Sequence, residues 1–299
     1  MKFCIPYYSS FRYFDVIDEI ILQYSEHNEN IVEFVISHYN ENQRVIVDIT
    51  SKLLESNINN MIPILKKLQQ EHKNMVVKTN SKTYKELREG ALQYFFTDFC
   101  RTDDEVYAFI KQGVSDVYIV ENLAFNLREM GEYCHKKHVN VRVIPNMAQY
   151  AKGQKEWIPA PCKFFIRPED IDKYEPYVDV FEFVAPGDRL SVLFKIYKSK
   201  QWLGDLDKLI IGLGEEFLNN GLIPNFGIER TKCKHRCMRE QCFLCIDMQR
   251  VAKQFDNSGV EIKRKRDKEW MKDESEVNKE ISESIKETAT TNVNEVSEE

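Results

Sequence analysis

No run of eighteen apolar residues free of charge occurs in the 299-residue sequence, so no segment is built to cross a bilayer as a helix. A basic surplus is also missing. The net charge is −6, which argues against a general nucleic-acid binder. Glycine is scarce, at 11 residues, and no Gly-rich phosphate loop follows any apolar run, which removes the usual nucleotide-binding signature. Neither His-Glu-x-x-His nor Gly-x-Ser-x-Gly is present, so no protease motif supports peptide cleavage. The opening stretch, MKFCIPYYSSFRYFD, lacks the basic start, long apolar run and small-residue cleavage site of a secretory signal. The expectation is a cytoplasmic protein with no membrane association. In such a reducing setting closely spaced cysteines bind metal or do redox chemistry more often than they form structural disulfides.

What is present is a core-forming chain, 42% hydrophobic, with a repeating rhythm over residues 1–185. Short runs rich in Val, Ile and aromatics alternate with longer stretches of helical spacing. The runs are KFCIPY, IVEFVIS, RVIVDIT, MVVKTN, YFFTDFC, DVYIVEN, VRVIPN, KFFIRP and VDVFEFV. Helices are predicted over 11–24, 51–70, 81–90, 102–112, 125–137 and 169–175. Strands alternating with helices imply parallel pairing through crossovers, and continuous apolarity suits strands covered on both faces. The fold class expected is α/β, a (β/α)8 TIM-like barrel spanning 1–185. The short SHYNENQ gap between IVEFVIS and RVIVDIT holds no helix, so one of those two runs is expected to be a helix end or an extra antiparallel strand. Residues 186–256 read as a helical extension carrying a cysteine-rich loop. From Asn257 onward, eight Lys/Arg against twelve Asp/Glu give the tail −4 of the total −6. This 257–299 segment is nearly free of large apolar residues and is expected to be a disordered, charged tail that offers a protein partner a surface.

Four of the eight cysteines fall within TKCKHRCMREQCFLC, as Cys233, Cys237, Cys242 and Cys245. The spacing is Cys-x3-Cys-x4-Cys-x2-Cys. So short a loop has no core of its own, and its thiols converge only if they fold around a centre. Tetrahedral zinc with four thiolates is one solution and an iron–sulfur cluster the other, and spacing does not separate them. Arg230, Lys232, Lys234, His235, Arg236 and Arg239 favour thiolates and offset the negative charge of either assembly. His235 and Cys162 are alternative ligands. Cys4, Cys100, Cys134 and Cys162 otherwise read as small buried hydrophobes.

Reacting groups of a barrel gather at the carboxyl ends of its strands. The polar residues ending the apolar runs are Asp48, Lys78, Asn80, Asp98, Glu121, Asn122, Asn146, Gln149, Arg167 and Glu182. Glu182, Arg167, Asp98 and Glu121 are the candidate catalytic residues, able to orient a polar substrate and move protons. Arg167 and Glu182 are expected to pair inside the mouth.

The run FFIRPEDIDKYEPYVDVFEFV, followed by a helical segment and the cysteine cluster, resembles the collagenase-like peptidases of family U-32. The resemblance covers about residues 75–250 and is strongest at 162–183. It implies a barrel carrying a [4Fe–4S] cluster, held here by Cys233, Cys237, Cys242 and Cys245. The family name implies peptidase activity, whereas several relatives hydroxylate tRNA or quinone precursors. Peptide, polar small-molecule and RNA substrates therefore all stay open. This sequence departs from those relatives in packing its cysteines into one short segment. The alternative is a non-catalytic binding or scaffold protein with a structural zinc site.

Overall fold

The structure is a computed structural model of the chain. It describes residues 1–8, 13–24, 30, 32–33, 36, 42–50, 58–81, 84–119, 127–147, 165–185, 187–202, 204 and 206–211.

Nine parallel strand segments form one nearly closed barrel, with helices between them. They are β1 (Lys2–Pro6), β2 (Glu19–Gln23), β3 (Arg44–Asp48), β4 (Met75–Thr79), β5 (Tyr94–Phe96), β6 (Phe99–Cys100), β7 (Asp116–Ile119), β8 (Asn140–Val143) and β9 (Val180–Glu182). The sheet order is β5-β4-β3-β2-β1-β9-β8-β7-β6. The two outer members, β5 and β6, are halves of the single run YFFTDFC, bent at Thr97–Asp98. Its first half pairs with β4 and its second with β7. One bent strand therefore joins the two margins, and nine segments occupy eight positions. The Ser115 amide donates to the Tyr94 carbonyl at 2.9 Å across that seam.

The helices are α1 (Ile58–Glu71), α2 (Tyr84–Glu89), α3 (Asp103–Lys111), α4 (Leu127–Lys136), α5 (Ile171–Tyr174), α6 (Gly187–Ser199) and α7 (Leu206–Leu209). Their apolar positions recur at helical spacing and face the strands, as with Ile58, Met61, Leu65 and Leu68 of α1. Each such side chain, fully buried, contributes about 1.5–3 kcal/mol. In α4, Gly131 lies so close to the 177 turn that an added Cβ would stand 2.8 Å from the Tyr177 carbonyl oxygen. The start of α3 is fixed by a capping box. The Thr102 hydroxyl accepts from the Glu105 amide at 3.3 Å, and the Glu105 carboxylate accepts from the Thr102 amide at 3.1 Å. Helix α6 packs over the first and last strands. Phe194 sits edge-on to Phe3 at 5.6 Å, and Tyr197 lies 4.9 Å from Phe183, ring centre to ring centre.

Two sequence expectations, the helix over 11–24 and the strand KFFIRP, are corrected here, and the ambiguity at the SHYNENQ gap is resolved. The predicted helix over 11–24 is instead a single 3-10 turn, Phe14–Val16, followed by β2. The run IVEFVIS, one of the two beside the SHYNENQ gap of which one is expected to be a helix end or an extra strand, is helical at its described positions 32, 33 and 36. This supplies the crossover between β2 and β3 that parallel pairing requires. In KFFIRP, Phe165–Arg167 lie outside any strand, although the Ile166 amide still donates to the Pro145 carbonyl at 3.0 Å.

Candidate functional site at the barrel mouth

Period-two alternation sends every second side chain of a barrel strand inward. Here many of the inward positions are charged. Glu19 opens β2, Arg44 opens β3, Asp116 opens β7, Arg142 is the third residue of β8, and Glu182 ends β9. Together with Lys78 of β4 and Asp48 at the end of β3, they form a column of charge along the barrel axis.

The lower part of the column is closed. Arg44 donates to both oxygens of Asp116 at 2.6 Å, and Ser115 and Asn140 add further donors to the same carboxylate. Arg142, fully buried, donates through Nη1 to Glu19 at 2.6 Å and to Asp116 at 3.1 Å. Burial alone would push the Asp116 carboxyl up, but the Arg44 charge, its hydrogen bonds and Arg142 together hold it down to about 2. The guanidinium of Arg142 also covers the Phe95 ring at 4.9 Å, while its Nε has no hydrogen-bond partner.

The upper part opens toward the carboxyl ends of the strands. Lys78 Nζ stands 3.2 Å from Glu182 Oε1 and 3.9 Å from Asp48 Oδ2, with 12% of its side chain exposed. The other oxygen of Glu182 accepts from the Tyr118 hydroxyl and, at 3.4 Å, from Arg142 Nη2. Burial works against the Glu182 charge, yet Lys78, Arg142 and Tyr118 outweigh it and lower the carboxyl below its usual range. Burial, then the adjacent Glu182 charge, pushes the Tyr118 hydroxyl far up, so it remains a proton donor. Cys4 lies in the same interior as a thiol that burial keeps protonated. Asp48 is held by its own turn, accepting from the Thr50 amide at 2.9 Å and the Thr50 hydroxyl at 2.6 Å.

The sequence-predicted residues divide sharply. Glu182 lies in the mouth, joined to Lys78. Arg167 and Glu182 do not take each other as principal partners: Arg167 Nε donates to Asp170 at 2.8 Å, and Lys173 pairs with the same carboxylate. The Arg-Pro-Glu-Asp step therefore builds a 3-10 turn, Pro168–Asp170, into the start of α5. Asp98 accepts from the Ser81 amide at 3.1 Å and ties the bend between β5 and β6 to the end of β4. Asn146 braces β9, donating to the Val184 carbonyl at 2.6 Å and accepting from the Val184 amide at 3.1 Å. Glu121, Cys162, Cys233, His235, Cys237, Cys242 and Cys245 lie outside the described residues. Among the described residues no group of His, Cys, Asp and Glu is arranged to hold a metal ion, and no helix is long and apolar enough to cross a membrane.

Sequence reasoning missed Glu19, Arg44, Asp116, Tyr118 and Arg142. The available signal was a charge set inside an apolar run, as in VRV of β8, where the neighbours of Arg142 are buried valines.

The class this geometry defines is a parallel α/β barrel with a charged interior opening at its carboxyl rim. No protein-family model and no curated protein matches the chain. Among solved structures it is similar to RipC from Yersinia pestis, with a TM-score of 0.37 and 8% identity over 66% of this chain and 94% of that one. It is also similar to a cube-shaped, highly porous protein cage designed by fusing symmetric oligomeric domains, with a TM-score of 0.32 and 12% identity over 66% of this chain and 73% of that one. Likeness of this extent assigns no activity.

Proposed function

We propose that this chain is a barrel enzyme that performs acid–base chemistry on a polar small-molecule or peptide substrate at its carboxyl rim. It carries a metal centre on Cys233, Cys237, Cys242 and Cys245. The observation behind the first half is the Lys78–Glu182–Tyr118 arrangement, with a fully buried, ionised carboxylate held between an ammonium and a phenol. Such a set presents a proton donor and a proton acceptor within one hydrogen-bonded unit, facing the end of the barrel where substrates bind.

The second half rests on the donor set. Four thiols within thirteen residues, among basic neighbours, match a thiolate-bound [4Fe–4S] cluster, with zinc as the alternative. When bound, an iron–sulfur cluster supplies electron transfer or a Lewis-acidic iron. The last described residue, Ile211, donates its amide to the Asn146 carbonyl at 2.8 Å, beyond the carboxyl end of β8. The resemblance to the collagenase-like peptidases of family U-32 supports the iron–sulfur choice and keeps peptidase and hydroxylase chemistry, including an RNA substrate, within the proposal.

A second reading is a non-catalytic binding protein with structural zinc. It is favoured by the structural employment of Asp98, Asn146 and Asp170, three polar residues whose hydrogen bonds brace strands and turns. Anaerobic purification with metal, sulfide and visible-absorption analysis decides between the two. A brown protein with iron and acid-labile sulfide supports the enzyme, whereas a colourless one with stoichiometric zinc supports the second reading. Cys237→Ser must lower the bound metal under either; unchanged metal content removes the ligand assignment.

A further inference from the structure

The acid–base reading uses Lys78 only as an ammonium, although its amine is also a nucleophile. Lys78 projects from the penultimate position of β4, one residue before the strand ends. Its amine is half enclosed by Asp48, Glu182 and the Tyr118 ring, whose centroid is 5.2 Å from Nζ. Glu182 is also served by Arg142, so Lys78 is the cation that links Glu182 to Asp48, at 3.2 and 3.9 Å. Glu182 at 3.2 Å supplies a base for the ammonium proton, and Glu182 and Asp48 together supply negative charge for the iminium.

We propose that Lys78 is a Schiff-base nucleophile for a neutral aldehyde or ketone. Glu182 Oε1 takes one proton from the ammonium, and Nζ forms a bond to the carbonyl carbon. The oxygen receives that proton back to give a carbinolamine. The carbon–oxygen bond then breaks and water leaves with a second proton from nitrogen. Ammonium plus carbonyl thus becomes protonated iminium plus water, with no change in oxidation state and no loss of charge. Asp48 and Glu182 flank the resulting cation. Tyr118 acts through Glu182 as a positioning residue, fixing the carboxylate that moves the proton. Substrate class follows from charge. Among the described residues the nearest cations are already committed, Arg142 to three carboxylates and Lys78 to the reaction, so a substrate carboxylate would meet the negative charge of Asp48 and Glu182.

This inference rests on the mouth being a reaction site but needs nothing from the cysteines, so metal content and imine formation fail independently. The purified full chain is incubated with dihydroxyacetone, reduced with sodium borohydride and mapped by peptide mass spectrometry. The expected result is one reduced adduct per chain on Lys78, at about tenfold or more over exposed Lys67, whose side chain is 64% accessible. Lys78→Arg keeps the ion pair and should return the intact mass to background while circular dichroism stays unchanged. Tyr118→Phe should slow trapping without abolishing it. Labelling of Lys67 with Lys78 unmodified, or equal labelling of both, overturns the assignment. Pyruvate should trap less than dihydroxyacetone; the reverse order overturns the neutral substrate class.

Discussion

Arg44 and Asp116 meet across the barrel interior in a two-pronged contact, with both nitrogen–oxygen distances at 2.6 Å, although β4 and the bent β5–β6 strand stand between their own strands. The pair joins two walls of the barrel at its amino end. Arg142 extends the contact upward to Glu182, so the lower tie and the open mouth belong to one network. Stability and site geometry are therefore coupled through buried charge.

Removing one member of the tie leaves the other buried without its partner. Asp116→Asn should destabilise the fold by about 3–5 kcal/mol, read as a lower urea midpoint. The sign of the pH effect follows from the depressed carboxyl. Its folded value of about 2 lies below the unfolded one, so its stabilisation is present above the ordinary carboxylate range and is lost as pH falls toward 2. The Asn variant should show a shallower acid-unfolding limb than the parent chain; identical limbs would refute the coupling.

Gly131 tests the close packing of α4. An alanine Cβ there meets Tyr177 backbone and Cβ atoms at 2.8 to 3.0 Å, which the turn cannot yield without shifting. Gly131→Ala should cost about 1–3 kcal/mol by overpacking. Gly113 is the contrast: space around it is open, but its φ is +83°, so Gly113→Ala should cost about 1 kcal/mol through backbone strain alone. Trimming Tyr177 to Gly removes only the 2.9 Å Cβ contact and leaves the backbone oxygen and Cα, so it should relieve Gly131→Ala in part and Gly113→Ala not at all.

The α3 cap is separable from the barrel interior. Thr102→Ala removes the acceptor for the Glu105 amide and should lower stability by about 1 kcal/mol. Thr102→Ser keeps the hydroxyl and should restore most of it. Hydrogen exchange localised to the first turn of α3 is the direct reading.

The barrel was legible in the sequence because most of its strands are continuous apolar runs, a pattern that survives without tertiary information. β2 escaped because Phe14, Ile17, Ile21 and Tyr24 recur at helical spacing, while the strand EIILQ itself lacks alternation. Its first residue, Glu19, is fully buried in the charged column, a placement that Arg44 of the neighbouring β3 and Arg142 of the more distant β8 make tolerable. The same holds for the site. Rim position identified Glu182, Lys78 and Asp48, since strand ends can be read from sequence. That Arg167 turns to Asp170, three residues on, depends on a local 3-10 turn that competes with any distant partner. Asp98 and Asn146 sit at strand ends for the plainer reason that backbone amides there need acceptors.

Two buried tyrosines separate charge from burial as the source of acid sensitivity. The Tyr118 hydroxyl donates to the ionised Glu182, and the Tyr197 hydroxyl donates to the neutral Ile166 carbonyl at 2.7 Å. Burial pushes both phenols well up, so neither ionises over the range tested. Tyr118→Phe removes one of the influences that lower Glu182, and the folded carboxyl moves back up toward its ordinary range. A depressed carboxylate stabilises above the unfolded value and loses that contribution as pH falls, so a smaller depression lets protonation of the folded state begin at higher pH. The acid-unfolding midpoint of Tyr118→Phe should therefore rise, alongside a loss of about 1.5–3 kcal/mol at neutral pH for a hydrogen bond to a charged group. Tyr197→Phe should cost about 1 kcal/mol at every pH, leaving the shape of the acid limb unchanged, because its acceptor does not titrate. Equal displacement of the acid midpoint in both variants would show that the limb reports lost packing, and Glu182 would then have no part in it.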